Sequence, residues 1–234
     1  MQIFYAPYIN GETYTLDENE SGHVVRVLRM KKGTGVKLID GKGNLYEGEI
    51  EIPDQRKFTI IITGIVKDFE KRNWLLQIAI SPLKNHERFE WFVEKGVEIG
   101  VDVITPLICR NTEKTSIKSE RINNIIISAM KQSLKATKPV LNPPIEFNDF
   151  IIRDCKDTGM IAHCNDSFKR NRIADIYSKN ENAVILIGPE GDFSYDEICK
   201  ASEYGYAHIH LGNSRLRTET AGIAACHSVY FINQ

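Results

Sequence analysis

The sequence predicts an α/β protein with a small β-rich domain over residues 1–70 and a parallel-sheet domain over residues 71–234. Three observations carry this. Residues 183–187 read Ala-Val-Ile-Leu-Ile, and so short an apolar run suits a strand buried on both faces, as in a parallel sheet between helices. A strand-loop-helix plan then repeats: residues 207–211 (Ala-His-Ile-His-Leu) lead through a loop at Gly212 into a small-residue helix from Thr218. Upstream of residue 70, by contrast, period-two alternation and β-branched residues dominate.

In chain order, residues 22–29 place Val24, Val25 and Leu28 at helical spacing, so a short helix is expected there. His23, Arg26 and Arg29 occupy its other positions, with Lys31 and Lys32 directly after. Such a basic group suits either a solvated helix face or contact with an RNA backbone, whose phosphates draw Lys and Arg. Residues 36–40, the turn Gly41-Lys-Gly43 and residues 45–52 read as a hairpin, and residues 58–63 as a third strand. The polar stretch 67–73 is the expected boundary. Residues 74–80 give a buried strand, and Phe89, Phe92, Val93, Gly96 and Val97 form one stripe of a helix. The next strand, 103–108, contains Pro106, which predicts an irregular or edge position. A helix over 119–137 follows, with Ile122, Ile125, Ile126, Ala129 and Met130 on one face and Pro139 as its stop. Residues 159–164 form a short strand with His163 near its end. Gly188-Pro189 ends the strand that precedes it, and Ser194 and Glu197 have capping-box spacing for another helix.

Composition bounds the function classes. Hydrophobic residues at 42% and charged residues at 26% describe an ordinary globular protein, and no apolar run approaches the ~20 residues of a membrane helix. The start, Met-Gln-Ile-Phe-Tyr-Ala-Pro-Tyr, lacks a signal-peptide layout. Cys109, Cys155, Cys164, Cys199 and Cys226 are scattered without a C-x-x-C pair, so neither disulfides nor a metal site is expected, and a reducing cytoplasmic setting is. A formal net charge of −1 gives no global pull toward nucleic acid, so RNA binding has to rest on local clusters.

Two strand-loop-helix units this close together place their loops at one carboxyl edge, where open α/β sheets bind ligands. The loops hold Glu190, Asp192 and Glu219 and no Gly-Lys pair, which disfavours a triphosphate and suits ribose hydroxyls or a cationic ligand. Gly188-Pro189-Glu190-Gly191, followed by Leu211-Gly212 and by Leu216-Arg217-Thr218-Glu219-Thr220-Ala221, resembles the knotted (SPOUT) RNA methyltransferases. Among these it is similar to the RsmE family, which methylates uridine N3 in 16S (small-subunit) ribosomal RNA. The segments 94–100, 128–133 and 23–29 with Gly33 resemble further signatures of that family, the last in its N-terminal PUA-like β-barrel. Two departures stand out: the family often has glycine where Asp192 stands, and Pro-Arg-Ile where Asn213-Ser214-Arg215 stands.

The resemblance implies a trefoil-knotted C-terminal domain that binds S-adenosylmethionine, pairs as a homodimer and acts on the small ribosomal subunit without metal or membrane. Carried onto this chain, it places the cofactor at His163, Ile187, Gly188, Pro189, Glu190, Gly191, Leu211, Gly212, Asn213, Leu216 and Thr218. RNA falls to His23, Arg26, Arg29, Lys31, Lys32, Arg215 and Arg217. Removing the N3 proton and stabilising the resulting anion points to Arg217, with Glu190 or Glu219 as proton acceptor. Either carboxylate equally suits a capping or bracing role, so the base stays open. A lone histidine at a strand end is usually a packed or supporting residue rather than a catalyst, and the resemblance, which matches this place to the third loop lining the cofactor pocket, implies that His163 contacts the cofactor. The alternatives are a knotted ribose 2′-O-methyltransferase and an RNA-binding protein without activity. For the dimer, Ile223, Val229, Tyr230 and Phe231 on the closing helix offer an apolar face.

Overall fold

The computed structural model describes residues 2–153 and 157–234, without the Asn19 side chain. Cys155 lies outside the described residues. The chain divides into two compact units, Met1–Lys71 with Met130–Lys138, and Arg72–Ala129 with Pro139–Gln234.

The first unit is built on a five-stranded sheet. Its elements are β1 (Ile3–Tyr5), β2 (Thr13–Thr15), α1 (Glu18–His23), a π-helical turn (Val24–Leu28), β3 (Gly35–Ile39), β4 (Leu45–Ile52) and β5 (Thr59–Val66). The order is β1-β3-β4-β5-β2, with β1 parallel to β3 and every other pair antiparallel. The β3–β4 turn forms because Gly41 and Gly43 adopt φ of 76° and 100°, while buried Asp40 accepts the backbone N–H groups of Lys42 and Asn44. The expected helix at 22–29 begins earlier, at Glu18, because Asp17 caps it through the Glu20 N–H at 2.8 Å. Buried Ser21 then ties it to the sheet, donating to Leu16 O and accepting from Phe58 N. The π turn ends at Arg29 in the left-handed region, with Val24 buried and Leu28 38% exposed. Phe4, Leu38, Ile50, Phe58 and Ile60 make the core between them.

The second unit runs β6 (Leu76–Ile80), α2 (His86–Ile99), β7 (Val103–Ile108), α3 (Ser119–Ser133, of which Met130 onward counts with the first unit), β8 (Val140–Leu141), β9 (Ile145–Glu146), α4 (Phe147–Ile151), β10 (Thr158–Ala162), α5 (Ile173–Ile176), β11 (Ala183–Ile187), α6 (Tyr195–Glu203), β12 (Ala207–Ile209) and α7 (Thr218–Ile232). Its strands pair in parallel in the order β12-β10-β11-β6-β7-β8, with β9 also on β7. The apolar run 183–187 is fully buried because β11 lies mid-sheet with both faces covered. Val184 and Leu186 join Ala79, Leu107 and Ile161 in a cluster with residues of α4 and α6, including Phe147, Phe150 and Ile198. Helices α2 and α7 pack together over β6, close enough that a Cβ at Gly222 would sit 2.6 Å from the Phe92 ring.

Pro106 lies in an interior strand, paired with Ile80. The Ile104 carbonyl accepts Asn142 N on the β8 side, so Pro106, two residues on, faces the same side. There β8 gives way to β9 across Pro143-Pro144, so the missing N–H falls where the pairing strand changes. The irregularity is in the neighbour rather than in β7. Helix α3 stops at Ser133, short of Pro139, because Leu134 takes a φ of 56°.

Candidate active site

Three parallel strands bring three loops together. Ala162 pairs with Ile187 on one side and Ile209 on the other, so β10, β11 and β12 release the chain at one carboxyl edge. The loops begin at His163, Gly188 and His210, and the first turn of α7 closes the group. Thr218 Oγ1 donates to the Gly188 carbonyl at 3.0 Å, pinning the helix start to the loop after β11. Between them lies a cavity of about 280 Å³. Ala162, Ile187, Ile209, Leu211, Leu216 and Ala221 supply its apolar lining, and Glu190, Asp192, Arg170, Arg215 and Arg217 its charge.

The loop after β11 is braced from two sides. Asp192 has a φ of 61°, a left-handed conformation that glycine adopts freely and Asp or Asn tolerate better than most residues. Its N–H closes a turn onto Pro189 O at 2.9 Å. Asn111 Nδ2 donates to Gly191 O and Asp192 O, and a Cβ at Gly191 would meet Asn111 Cβ at 3.2 Å. Glu197 completes the predicted capping box with Ser194 and also accepts Arg110 N at 2.8 Å.

His163 is buried and fully engaged. Its Nδ1 accepts the Asn165 N–H at 3.2 Å, so in the neutral ring the proton sits on Nε2, which donates to His208 Nδ1 at 2.8 Å. His208 in turn donates its Nε2–H to Ser202 Oγ and stacks on Phe168 with rings 12° apart. Burial first, then the neighbouring His208, lowers the His163 pKa to about 4, and burial lowers that of His208. Both rings are neutral at neutral pH, and neither His163 nitrogen is left over for the cavity.

Of the residues read from the sequence as cofactor contacts, His163, Ile187, Gly188, Pro189, Glu190, Leu211, Gly212, Leu216 and Thr218 line the cavity. Gly191 packs on Asn111 instead, and Asn213 lines an adjoining groove with Phe168 and Arg170. Arg215 and Arg217 are exposed on the cavity and make no ion pair among the described residues. Glu190 is likewise exposed, with no ion pair among the described residues. Glu219 is buried off the cavity, 3.8 Å from Arg88 of α2. In the first unit, His23, Arg26, Arg29, Lys31 and Lys32 are all exposed. Cys164, Arg170, Asp192, His210 and Ser214 also line the cavity and were not read as contacts. The signal that finds them is the parallel register, which delivers the residues just past each strand to one place. No group of three or more His, Cys, Asp or Glu among the described residues could hold a metal ion.

A parallel sheet covered on both faces, with a cavity built by three carboxyl-edge loops and a helix start, is the fold of an RNA methyltransferase domain, whose family model matches residues 70–230. A second family model, an RNA methyltransferase PUA domain, matches residues 16–63. The chain is 31% identical over 235 residues to a ribosomal RNA small subunit methyltransferase E from Buchnera aphidicola, covering 95% of this chain and 92% of that one. It therefore belongs to the ribosomal RNA small subunit methyltransferase E family. Among solved structures, a probable rRNA-methyltransferase from Porphyromonas gingivalis superposes with a TM-score of 0.92 at 40% identity, covering 100% of this chain and 98% of that one. A ribosomal RNA small subunit methyltransferase E from Neisseria gonorrhoeae, bound to S-adenosyl methionine, superposes with a TM-score of 0.87 at 27% identity over 99% and 97% of the two chains.

Proposed function

We propose that this protein methylates N3 of a uridine in 16S ribosomal RNA, with S-adenosylmethionine as donor, during maturation of the small subunit. The observation that carries this reading is the cavity: three carboxyl-edge loops with two arginines at its edge that make no ion pair among the described residues, in a chain of this family. The lining suits the donor's chemistry. Apolar Ile187, Ile209, Leu211 and Leu216 fit a purine, and Glu190 fits a cationic sulfonium or amino group. S-adenosylmethionine supplies an already activated methyl, so the chain has to orient the base, remove a weakly acidic proton and stabilise the anion.

Arg217 is the residue we assign to the anion, because it is exposed on the cavity, always charged and without a carboxylate partner among the described residues. For the proton, the geometry favours Glu190. Glu219 is turned toward Arg88, and both nitrogens of His163 are already used. His163 then serves the cofactor through the wall it holds in place. The first unit, with the exposed basic group from His23 to Lys32, is assigned to RNA, and the second unit to the cofactor. The trefoil knot, the homodimer and a cytoplasmic setting belong to the same reading. The four described cysteines are unpaired, which fits a reducing compartment. No described helix is long and apolar enough to cross a membrane.

Mass spectrometry of 16S ribosomal RNA from a deletion strain tests the reading. Loss of N3-methyluridine, restored by the gene, is the expected result. Loss of a ribose-methylated nucleoside instead would transfer the function to the 2′-oxygen.

A further inference from the structure

We propose that Asp192 is a positioning residue, whose carboxylate clamps the loop after β10 to the loop after β11 and so preforms two walls of the cofactor cavity. This rests on the cofactor reading above and goes beyond it in naming the device that shapes the site.

Asp192 spends both carboxylate oxygens on backbone. Oδ1 accepts the N–H of Phe193 at 2.8 Å, which holds the local turn. Oδ2 reaches across to the loop after β10 and accepts the N–H of Cys164 at 2.8 Å. Cys164 N is the second backbone donor beyond the end of β10, so this bond sets where that wall stands. From the far side, Arg170 donates to the His163 carbonyl at 2.9 Å and to Asp166 at 2.6 Å, closing the segment on itself. The two loops leave strands that are direct neighbours, yet beyond Ala162 and Ile187 no ladder bond joins them. Asp192 is the bridge that replaces the ladder.

The backbone makes this assignment testable. At a φ of 61° a non-glycine side chain is strained, so a residue kept there only for the fold is improved by glycine. A clamp is not. Asp192→Gly relieves that strain but removes both hydrogen bonds, so thermal stability should not rise, and S-adenosylmethionine binding should weaken roughly 10-fold, the size of one charge-assisted hydrogen bond. Asp192→Asn keeps the shape, tolerates the same φ and retains one acceptor, so its affinity should fall between glycine and wild type.

Titration calorimetry with S-adenosylmethionine on the full chain, together with hydrogen–deuterium exchange of residues 159–170 in the cofactor-free protein, reads both effects. Exchange around 163–165 should quicken at least several-fold in Asp192→Gly and less in Asp192→Asn. Unchanged exchange in Asp192→Gly overturns the clamp, as does an Asp192→Asn affinity at or below that of the glycine variant. Failure of the wild type to bind S-adenosylmethionine would overturn the cofactor reading instead. The exchange arm uses no cofactor, so it decides the clamp either way.

Discussion

His163 illustrates how burial sets chemistry at the level of one residue. Its ring is 5% exposed, its Nδ1 accepts a backbone N–H and its Nε2 donates to His208, so a second proton has no place to go. The folded pKa of about 4 lies below the ordinary 6.5. Between those values the unfolded chain binds the proton and the folded chain does not, so stability is full above pH 6.5 and falls as pH drops toward 4. From pH 6.5 to 5 the loss from this residue is about 1.5 kcal/mol. Urea denaturation at the two pH values should show it, and His163→Gln, which does not titrate, should flatten the slope. A slope unchanged in that variant would mean that the ring titrates alike in the folded and unfolded protein. At the opposite extreme, burial pushes the Cys226 thiol up to about 12, so it should stay unmodified by alkylating agents at pH 8 in the native state.

At the scale of elements, the packing of α2 on α7 depends on Gly222. A Cβ there would lie 2.6 and 2.7 Å from Phe92 ring atoms and 3.0 Å from Ile80. Two effects oppose each other in Gly222→Ala. Helix propensity favours alanine by about 1 kcal/mol, while overpacking a tight core costs about 1–3 kcal/mol. The clash is with a fully buried ring rather than a flexible chain end, so overpacking wins and the net loss should be up to about 2 kcal/mol. Adding Phe92→Leu should recover part of it, because the smaller side chain vacates the contact. Additive losses in the double variant, measured by chemical denaturation, would show that the ring is not the obstacle.

The two units predict separable phenotypes for the whole molecule. Replacing exposed Arg26 and Arg29 by alanine should weaken RNA binding and flatten its dependence on salt, with the slope reduced by roughly 1.4–1.8 for two lost phosphate contacts. Affinity for S-adenosylmethionine should not change. Arg217→Ala should instead leave cofactor affinity nearly intact and lower turnover on saturating small subunits by roughly 100-fold, since the interaction strengthens only as charge develops on the base. Equal losses of cofactor affinity in both variants would dissolve the proposed division of labour. For the proposed dimer, α7 offers a narrower face than its sequence implies. Val229 is fully buried within its own subunit and Phe231 is 68% exposed. Phe231→Ser should shift sedimentation toward the monomer at micromolar concentration.

The sequence by itself determined what neighbours along the chain can encode. The apolar run at 183–187, the Phe89-Phe92-Val93-Gly96-Val97 stripe, the Gly41–Gly43 turn and the Ser194–Glu197 cap all stand where period, turn chemistry and capping put them. The glycine loops were legible for the same reason, since both sit just beyond their strands. Strands β1 and β2 were not, because three residues carry too little periodicity, and their pairing is decided by β3 and β5. Only the tertiary structure decided strand order, with β11 between β6 and β10, and this order is what gathers His163, Gly188 and His210 at one edge. It also decided the partners of the polar groups: Glu219 with Arg88, Asp192 with Cys164, and His163 with His208, across 45 residues of chain in the last case. A carboxylate or an imidazole carries the same local signal whether it faces a ligand or a buried donor. Which of the two it meets is set by register and packing between segments far apart in sequence, where local pattern has no information.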